Sequence, residues 1–281
     1  MTREQRNAGM PRARKRFGQH FLEPAWVAKV IRAIDPIASD TFVEIGPGRG
    51  ALTRPLAAQA GHVTAVEIDR DLASDLRAAA LPNVTVVEGD FLELPRSALP
   101  ANPSMRVAGN LPYNVASPIL FKLVDWFGET GTLTDATLML QREVADRLAA
   151  VPGTRDYGVL TVLIGQSADV KRVLTLPPGA FRPAPKVHSA LVQLHFHSPD
   201  PPVRDLSLFR ALVQAVFTRR RKTLANALAA FREPSDRAAL DRAGIDGKRR
   251  PETLTIAEFA RLSDALELRA AAGSDPTPRF S

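Results

Sequence analysis

Thr41-Phe42-Val43-Glu44-Ile45-Gly46-Pro47-Gly48-Arg49-Gly50-Ala51-Leu52-Thr53 decides how the first two thirds of this chain fold. "TFVEIG" is a short apolar strand. Three glycines follow at alternate positions, and "ALTRPLAAQA" (51–60) returns to helical spacing despite Pro55. A strand, a glycine turn and a helix in that order open a sheet of parallel strands with helices on both faces. Glycines at such a turn let the backbone bend tightly and come close to a ligand at the helix N-terminus. The turn does not name its ligand. The third glycine comes one residue too early for G-x-G-x-x-G, and Pro47 removes an N–H that a pyrophosphate cradle would use.

Working outward, the alternation continues. "WVAKVIRAI" (26–34) is helical upstream. Downstream come the strand "HVTAVEI" (62–68), the helix "DRDLASDLRAAA" (69–80), the strands "NVTVVEG" (83–89) and "MRVAG" (105–109), a helix across 116–127 and the strand "ATLML" (136–140). Near-continuous apolar strands fit burial on both faces of a sheet. "YGVLTVLIGQSA" (157–168) reads as helix, and "DVKRVLTL" (169–176) with "SALVQLHF" (189–196) as a hairpin-like antiparallel addition at the sheet edge. "HSPDPPVRD" (197–205), with three prolines in nine residues, reads as a linker. Four helical patterns follow: "LSLFRALVQAVF" (206–217), "RRKTLANALAAF" (220–231), "SDRAALDRAG" (235–244) and "TIAEFARLSDALEL" (255–268). Ser235 and Thr255 read as N-caps and Gly244 as a C-cap. The expected organisation is an N-terminal arm (1–23), an α/β domain (24–198), a helical domain (204–269) and a loose tail (270–281).

Composition narrows the chemistry. Of the 281 residues 45% are hydrophobic and 24% charged, ordinary for a globular chain large enough to bury a sizeable core. No apolar run reaches the length of a membrane span and no hydrophobic signal core opens the chain, so the expectation is a cytoplasmic protein without a membrane partner. With no cysteine, disulfides, thiolate-bound zinc and cysteine nucleophiles are excluded. The net charge of +7 points to a polyanionic partner. Much of it sits in residues 1–16, where six basic side chains against Glu4 give a net of +5. A second block is Arg219-Arg220-Arg221-Lys222.

Further strand ends carry polar groups. Glu67 ends the second strand 21 residues after Gly46, where a carboxylate can accept from both ribose hydroxyls of a nucleoside. Asp90 follows the third strand, where it can accept from an adenine amine; Asn110 ends the fourth. Asp69 is the better cap for the next helix, which frees Glu67 for a ligand. Without a Walker lysine pattern, the contest is between a nicotinamide dinucleotide and S-adenosylmethionine. A dehydrogenase needs a proton donor beside the hydride acceptor, whereas Asn110-Leu111-Pro112-Tyr113 offers no group titrating near neutrality, which favours methyl transfer. The Asn110 amide oxygen and a neighbouring carbonyl, such as that of Leu111, can accept the two N–H bonds of an exocyclic amine and point its lone pair at a methyl group. Pro112 stiffens the turn, and Tyr113 can stack on an extruded base. No metal is needed. His195 and His197 alternate at a strand end without a third ligand and read as surface residues, and His62 and His188 as strand-edge residues.

The ordered set closely resembles the small-subunit (16S) ribosomal RNA adenine N6,N6-dimethyltransferases of the KsgA type. It comprises "KRFGQHFL" (15–22), "VEIGPGRGALT" (43–53), "VEIDRDL" (66–72), "EGDFL" (88–92), "GNLPYNVASPIL" (109–120), "MLQREVADRL" (139–148), "PPGAFRPAPKVHSALV" (177–192) and "FTRRRKTLANAL" (217–228). The resemblance implies a Rossmann-like S-adenosylmethionine-dependent methyltransferase domain, mostly parallel with an antiparallel edge, plus a small all-helical C-terminal domain. It implies that His20, Leu22, Gly46, Gly48, Glu67, Asp90 and Asn110 contact S-adenosylmethionine. Asn110, Leu111, Pro112 and Tyr113 would hold the target base, with Phe181 as its second aromatic face. Position 20 departs from the pattern, which has Asn there. The implied substrate is small-subunit RNA in a 30S-type particle, methylated twice on each of two adjacent adenosines by a monomer that also serves subunit biogenesis. Arg14, Lys15, Arg16, Arg219, Arg220, Arg221 and Lys222 would contact its phosphates. The rival readings are a 23S rRNA adenine dimethyltransferase and a non-catalytic assembly or nucleic-acid-binding factor on the same fold.

Overall fold

The computed structural model of the chain describes residues 20–231 and 237–272. Arg14, Lys15, Arg16 and Ser235 lie outside them. In chain order the first elements are β1 (Phe21–Leu22), α1 (Pro24–Ile34), β2 (Thr41–Ile45), α2 (Thr53–Ala57), β3 (His62–Glu67), α3 (Arg70–Ala78), β4 (Val84–Glu88), β5 (Met105–Asn110), α4 (Ala116–Thr130) and β6 (Leu133–Gln141). There follow α5 (Arg142–Leu148), α6 (Val159–Gly165), β7 (Ala168–Leu176), β8 (Phe181–Arg182), β9 (Ser189–Phe196), α7 (Leu206–Thr218), α8 (Leu224–Leu228), α9 (Arg237–Ala243) and α10 (Ile256–Ala272).

Seven strands make one sheet in the order β4-β3-β2-β5-β6-β9-β7. β2 pairs in parallel with both β3 and β5, β3 with β4, and β5 with β6, while β9 runs antiparallel to β6. The chain leaves β2 toward one edge and returns on its other side at β5. That reversal opens a crevice beyond the carboxyl ends of β2 and β5, where open α/β sheets bind ligands. β2 is buried along its whole length, as its unbroken apolar run requires, and the edge strand β4 is not. Gly109 leaves no room for a side chain where it pairs with Ile45: a Cβ there would stand 2.7 Å from the Ile45 carbonyl oxygen.

The opposite end of the sheet is locked by Arg106. Its guanidinium donates to Asp40 at 2.7 Å, to Asp135 at 2.8 Å, and to the carbonyls of Ile34 and Asp35. Four acceptors around one planar cation fix β5, β6 and the end of α1, so the crevice sits on a rigid base.

The chain divides into two compact units, and the division differs from the sequence expectation. One unit runs to Ala145 and includes Val170–Phe196; the other holds Asp146–Asp169 with the chain from His197 onward. Residues 146–169 thus group with the C-terminal helices. Within that unit the ring of Tyr157 meets Phe217 at 6.2 Å, and Phe217 meets Phe259 at 5.7 Å. Tyr157 is fully buried, so α6 and the turn before it belong to that core. Two of the three expected caps lie in the described residues and form: Thr255 Oγ1 accepts from the Glu258 amide while the Glu258 carboxylate accepts from the Thr255 amide, and Gly244 closes α9 at φ +67°. Arg249 also hydrogen-bonds the Glu258 carboxylate and, as the largest influence, holds its pKa below the usual range.

Two helix boundaries move. "RRKTLANALAAF" is not one helix: Arg219–Lys222 form a turn, and helix resumes only at Leu224. Arg219 leaves helical geometry as the C-cap of α7, and Lys222 N–H bonds its carbonyl at 2.8 Å. At the other end, α10 extends to Ala272, past the expected tail boundary at 270.

Candidate cofactor and target-base site

The carboxyl ends of β2, β3, β4 and β5 open onto a cavity of about 350 Å³. Its wall contains His20, Leu22, Gly46, Gly48, Glu67, Asp90, Asn110, Leu111, Pro112 and Tyr113, so those sequence-predicted residues converge in one place. The glycine turn forms the floor. Gly46 and Gly48 have φ of +67° and +58°, a region where a side chain would be strained. A Cβ on Gly48 would also press on the Phe21 ring at 3.2 Å.

Glu67 is 4% exposed, and both its carboxylate oxygens are already held. Oε2 accepts the Gly48 amide at 2.9 Å and Oε1 the Asp69 amide at 2.9 Å. Each oxygen keeps a further lone pair, so the carboxylate is fixed in direction and can still accept. As expected, Asp69 caps α3 through the Asp71 amide, so Glu67 does not cap that helix. Burial raises the Glu67 pKa against the pull of those amides. Below it, Glu44 on β2 is wholly buried, and burial, with repulsion from Glu67, pushes its pKa up to about 7. The Thr53 hydroxyl beside it pulls the other way.

Asp90 heads the turn after β4. Its Oδ1 accepts the Leu92 amide at 2.9 Å, which leaves Oδ2 as the free acceptor beside the cavity. Asn110 donates from Nδ2 to the His20 carbonyl at 2.7 Å, so its Oδ1 remains available to accept. The Pro112 carbonyl accepts the Val115 amide and closes the loop into α4.

The aromatic arrangement differs from the expectation in two respects. Tyr113 donates or accepts at Ser189 Oγ over 2.8 Å, and its ring lies against His20 at 5.7 Å and 26°. His20 Nδ1 is also 2.7 Å from the Pro183 carbonyl, so its imidazole bridges two loops instead of standing free in the cavity. Phe181 is 1% exposed and packs in the core with Val30, Leu176 and Leu191. The pairing of Leu22 with Phe181 across β1 and β8 sets its ring there, and Phe181 is not part of the cavity wall.

Comparison with known proteins decides the family. Residues 10–268 match the family described as "Ribosomal RNA adenine dimethylase". The chain belongs to that family. Among its relatives is the "Ribosomal RNA small subunit methyltransferase A" of Aromatoleum aromaticum, 44% identical over 90% of this chain and 94% of that protein. The protein of the same name from Nitrosococcus oceani is 45% identical over 90% and 95%. Of solved structures, a dimethyladenosine transferase from Plasmodium falciparum superposes with a TM-score of 0.73 at 25% identity, covering 90% of this chain and 98% of that one. The 23S rRNA methyltransferase ErmE reaches a TM-score of 0.65 at 31% identity over 88% and 99%. The family's Rossmann-like domain, with an antiparallel edge and a helical C-terminal region, is the fold described above.

For a member of this family, several contributors escaped sequence reasoning. Phe21 lines the cavity and carries the Arg49 guanidinium over its ring at 4.2 Å. Ile68 and Phe91, each beside a predicted carboxylate, line it too. Their signal was an apolar residue next to a strand-end acid, with Ile68 left 44% exposed. Within the C-terminal unit the basic block splits. Arg220 is committed to the Thr154 carbonyl at 3.0 Å and stands 3.9 Å from Glu252, whereas Arg219, Arg221 and Lys222 are exposed. His62 opens β3 beside Thr85, and His197 bonds the Ser198 carbonyl. Among the described residues no helix is long and apolar enough to cross a membrane, and no cluster of three or more metal-ligating side chains occurs.

Proposed function

We propose that this chain is a 16S rRNA adenine N6,N6-dimethyltransferase, which uses S-adenosylmethionine to dimethylate two adjacent adenosines near the 3′ end of small-subunit rRNA. The observation that carries the reading is the convergence of Glu67, Asp90 and Asn110 on one cavity with the Asn-Leu-Pro-Tyr loop as part of its wall. The donor set fits the cofactor. Glu67 takes the ribose hydroxyls, Asp90 Oδ2 the adenine amine, and Gly46 and Gly48 leave room for the chain of the methionine moiety, with His20 and Leu22 closing the side. S-adenosylmethionine supplies, when bound, an electrophilic methyl group on a sulfonium leaving group.

What the protein contributes is positioning. Asn110 Oδ1 accepts one N–H of the target N6, and a carbonyl of the loop accepts the other, which turns the nitrogen lone pair out of conjugation and toward the methyl. Attack forms the N–C bond as the S–C bond breaks, and N6 releases its proton to solvent. The Tyr113 ring supplies one stacking face; Phe181 would have to leave its core position to supply the other. Arg219, Arg221 and Lys222, with Arg14, Lys15 and Arg16 of the arm, contact phosphates of a 30S-type particle, and Arg220 holds their turn in shape. The enzyme works as a cytoplasmic monomer and serves subunit biogenesis.

The 23S alternative has structural support in the likeness to ErmE, but the curated relatives near 44% identity are named for the small subunit. Incubating unmethylated small subunits and large subunits with isotopically labelled S-adenosylmethionine separates the two. Dimethyladenosine at two adjacent positions in 16S rRNA is expected; label confined to 23S rRNA would replace the reading with its rival, and no label in either would favour a non-catalytic factor.

A further inference from the structure

Lys122 lies on the helix that begins three residues after Tyr113, and its ammonium reaches across to the turn that carries Asp90. Nζ donates to the carbonyls of Phe91 at 2.7 Å, Leu92 at 2.9 Å and Leu94 at 2.8 Å. An ammonium has three N–H bonds, and here each has an acceptor. The turn explains why the acceptors converge. Its amides point back at Asp90: Leu92 N–H bonds Oδ1 at 2.9 Å, and Glu93 and Leu94 N–H bond the Asp90 carbonyl at 3.0 Å each. The carbonyls therefore point the other way, and their partial negative charges meet at one spot, as at a helix C-terminus. Without a cation there the turn would hold three facing dipoles in a partly buried spot.

We propose that Lys122 is a positioning residue for cofactor recognition: its ammonium clamps the Phe91–Leu94 turn so that Asp90 Oδ2 is held for the adenine amine and Phe91 against the ring. The inference rests on the assignment of Asp90 to that amine. Phe91 lines the same cavity, and Lys122 Nζ stands 5.2 Å from its ring centre. Burial lowers the Lys122 pKa, and the charges of Asp90 and Glu129 counter it. The clamp also ties the cofactor side of the cavity to α4, the helix that continues from the target-base loop.

Calorimetry on the full-length protein tests this with S-adenosylhomocysteine and its analogue lacking the 6-amino group. K122M is expected to weaken S-adenosylhomocysteine about tenfold or more, the range for losing hydrogen bonds to a charged group. It should weaken the deamino analogue, which keeps only the ring contact with Phe91, clearly less, so that discrimination between the two narrows. K122R should restore part of the ratio, because it keeps the charge but a flat fork cannot serve three converging carbonyls equally. Equal weakening of both ligands, or a lower melting temperature with the ratio intact, would reduce Lys122 to a structural role and overturn the proposal. If K122M does not fold, K122R decides, since native-like melting with an unchanged ratio overturns it too. D90A separates the two layers. A collapsed ratio in D90A with an intact one in K122M sinks the clamp alone, and an intact ratio in D90A removes the Asp90 assignment and the clamp with it.

Discussion

The cavity in the α/β unit and the basic turn of the helical unit handle charge in opposite ways. Around the cavity Glu44 and Glu67 are buried, their pKa values raised by the loss of water, and Glu67 is aimed by two backbone amides. At the turn Arg219, Arg221 and Lys222 stand exposed, with Arg220 beneath them tied to Thr154 and Glu252. Buried, oriented groups discriminate between ligands because misplacing them leaves a desolvated charge. Exposed cations attract any polyphosphate and lose strength with salt. On the function proposed above, chemistry and recognition of the small ligand are assigned to the first region, and non-specific hold on the RNA to the second.

Substitutions can break that contrast, the largest effect first. N110A should lower methyl transfer by about a thousandfold or more, as for loss of an oriented polar group at a reacting centre, with the circular dichroism spectrum retained. Near-normal single-turnover rates would remove Asn110 from the reaction. E67A should weaken S-adenosylhomocysteine about a hundredfold, on the scale of a charged hydrogen-bonded pair, and barely alter RNA affinity; calorimetry giving the reverse order would overturn the ribose assignment.

Reversing the charge of Arg219, Arg221 and Lys222 together should weaken particle binding and flatten its dependence on salt concentration by roughly one unit of slope for each phosphate no longer neutralised. Cofactor affinity should not move. An unchanged slope would exclude the turn from the RNA surface.

The last expected effect is on stability alone and concerns Glu44. Its pKa rises from 4.5 to about 7 on folding, so the folded state keeps a proton that the unfolded chain releases. Stability is therefore greatest below the unfolded value and falls as pH climbs from 4.5 through about 7, by at most about 3 kcal/mol. E44Q should melt like the wild type near pH 4.5 and increasingly above it by pH 8. A gap that fails to widen with pH would mean that Glu44 is not held protonated.

The sheet was legible because its signals are local. "TFVEIG", the glycines and the apolar alternation after them follow from backbone sterics and burial, and Glu67, Asp90 and Asn110 could be read off as strand ends. What stayed hidden depends on distant segments meeting. Nothing near Lys122 in sequence says that three carbonyls from residues 91–94 will face it. Nothing in "RRRK" says that Arg220 alone will turn inward to Thr154. Phe181 reads as an available aromatic, and only the pairing of β8 with β1 puts its ring in the core. Residues 146–169 read as part of the sheet domain until Tyr157 is seen packed with Phe217.

The roles assigned to Glu67, Asp90 and Asn110 require one cavity to accept the nucleoside cofactor in one orientation. A crystal structure of the protein with S-adenosylhomocysteine tests this directly. Ribose hydroxyls on Glu67, the adenine amine on Asp90 Oδ2 and the sulfur within reach of the Asn110 loop are expected. A nucleoside bound elsewhere, or reversed so that its base lies at Asn110, would contradict those roles.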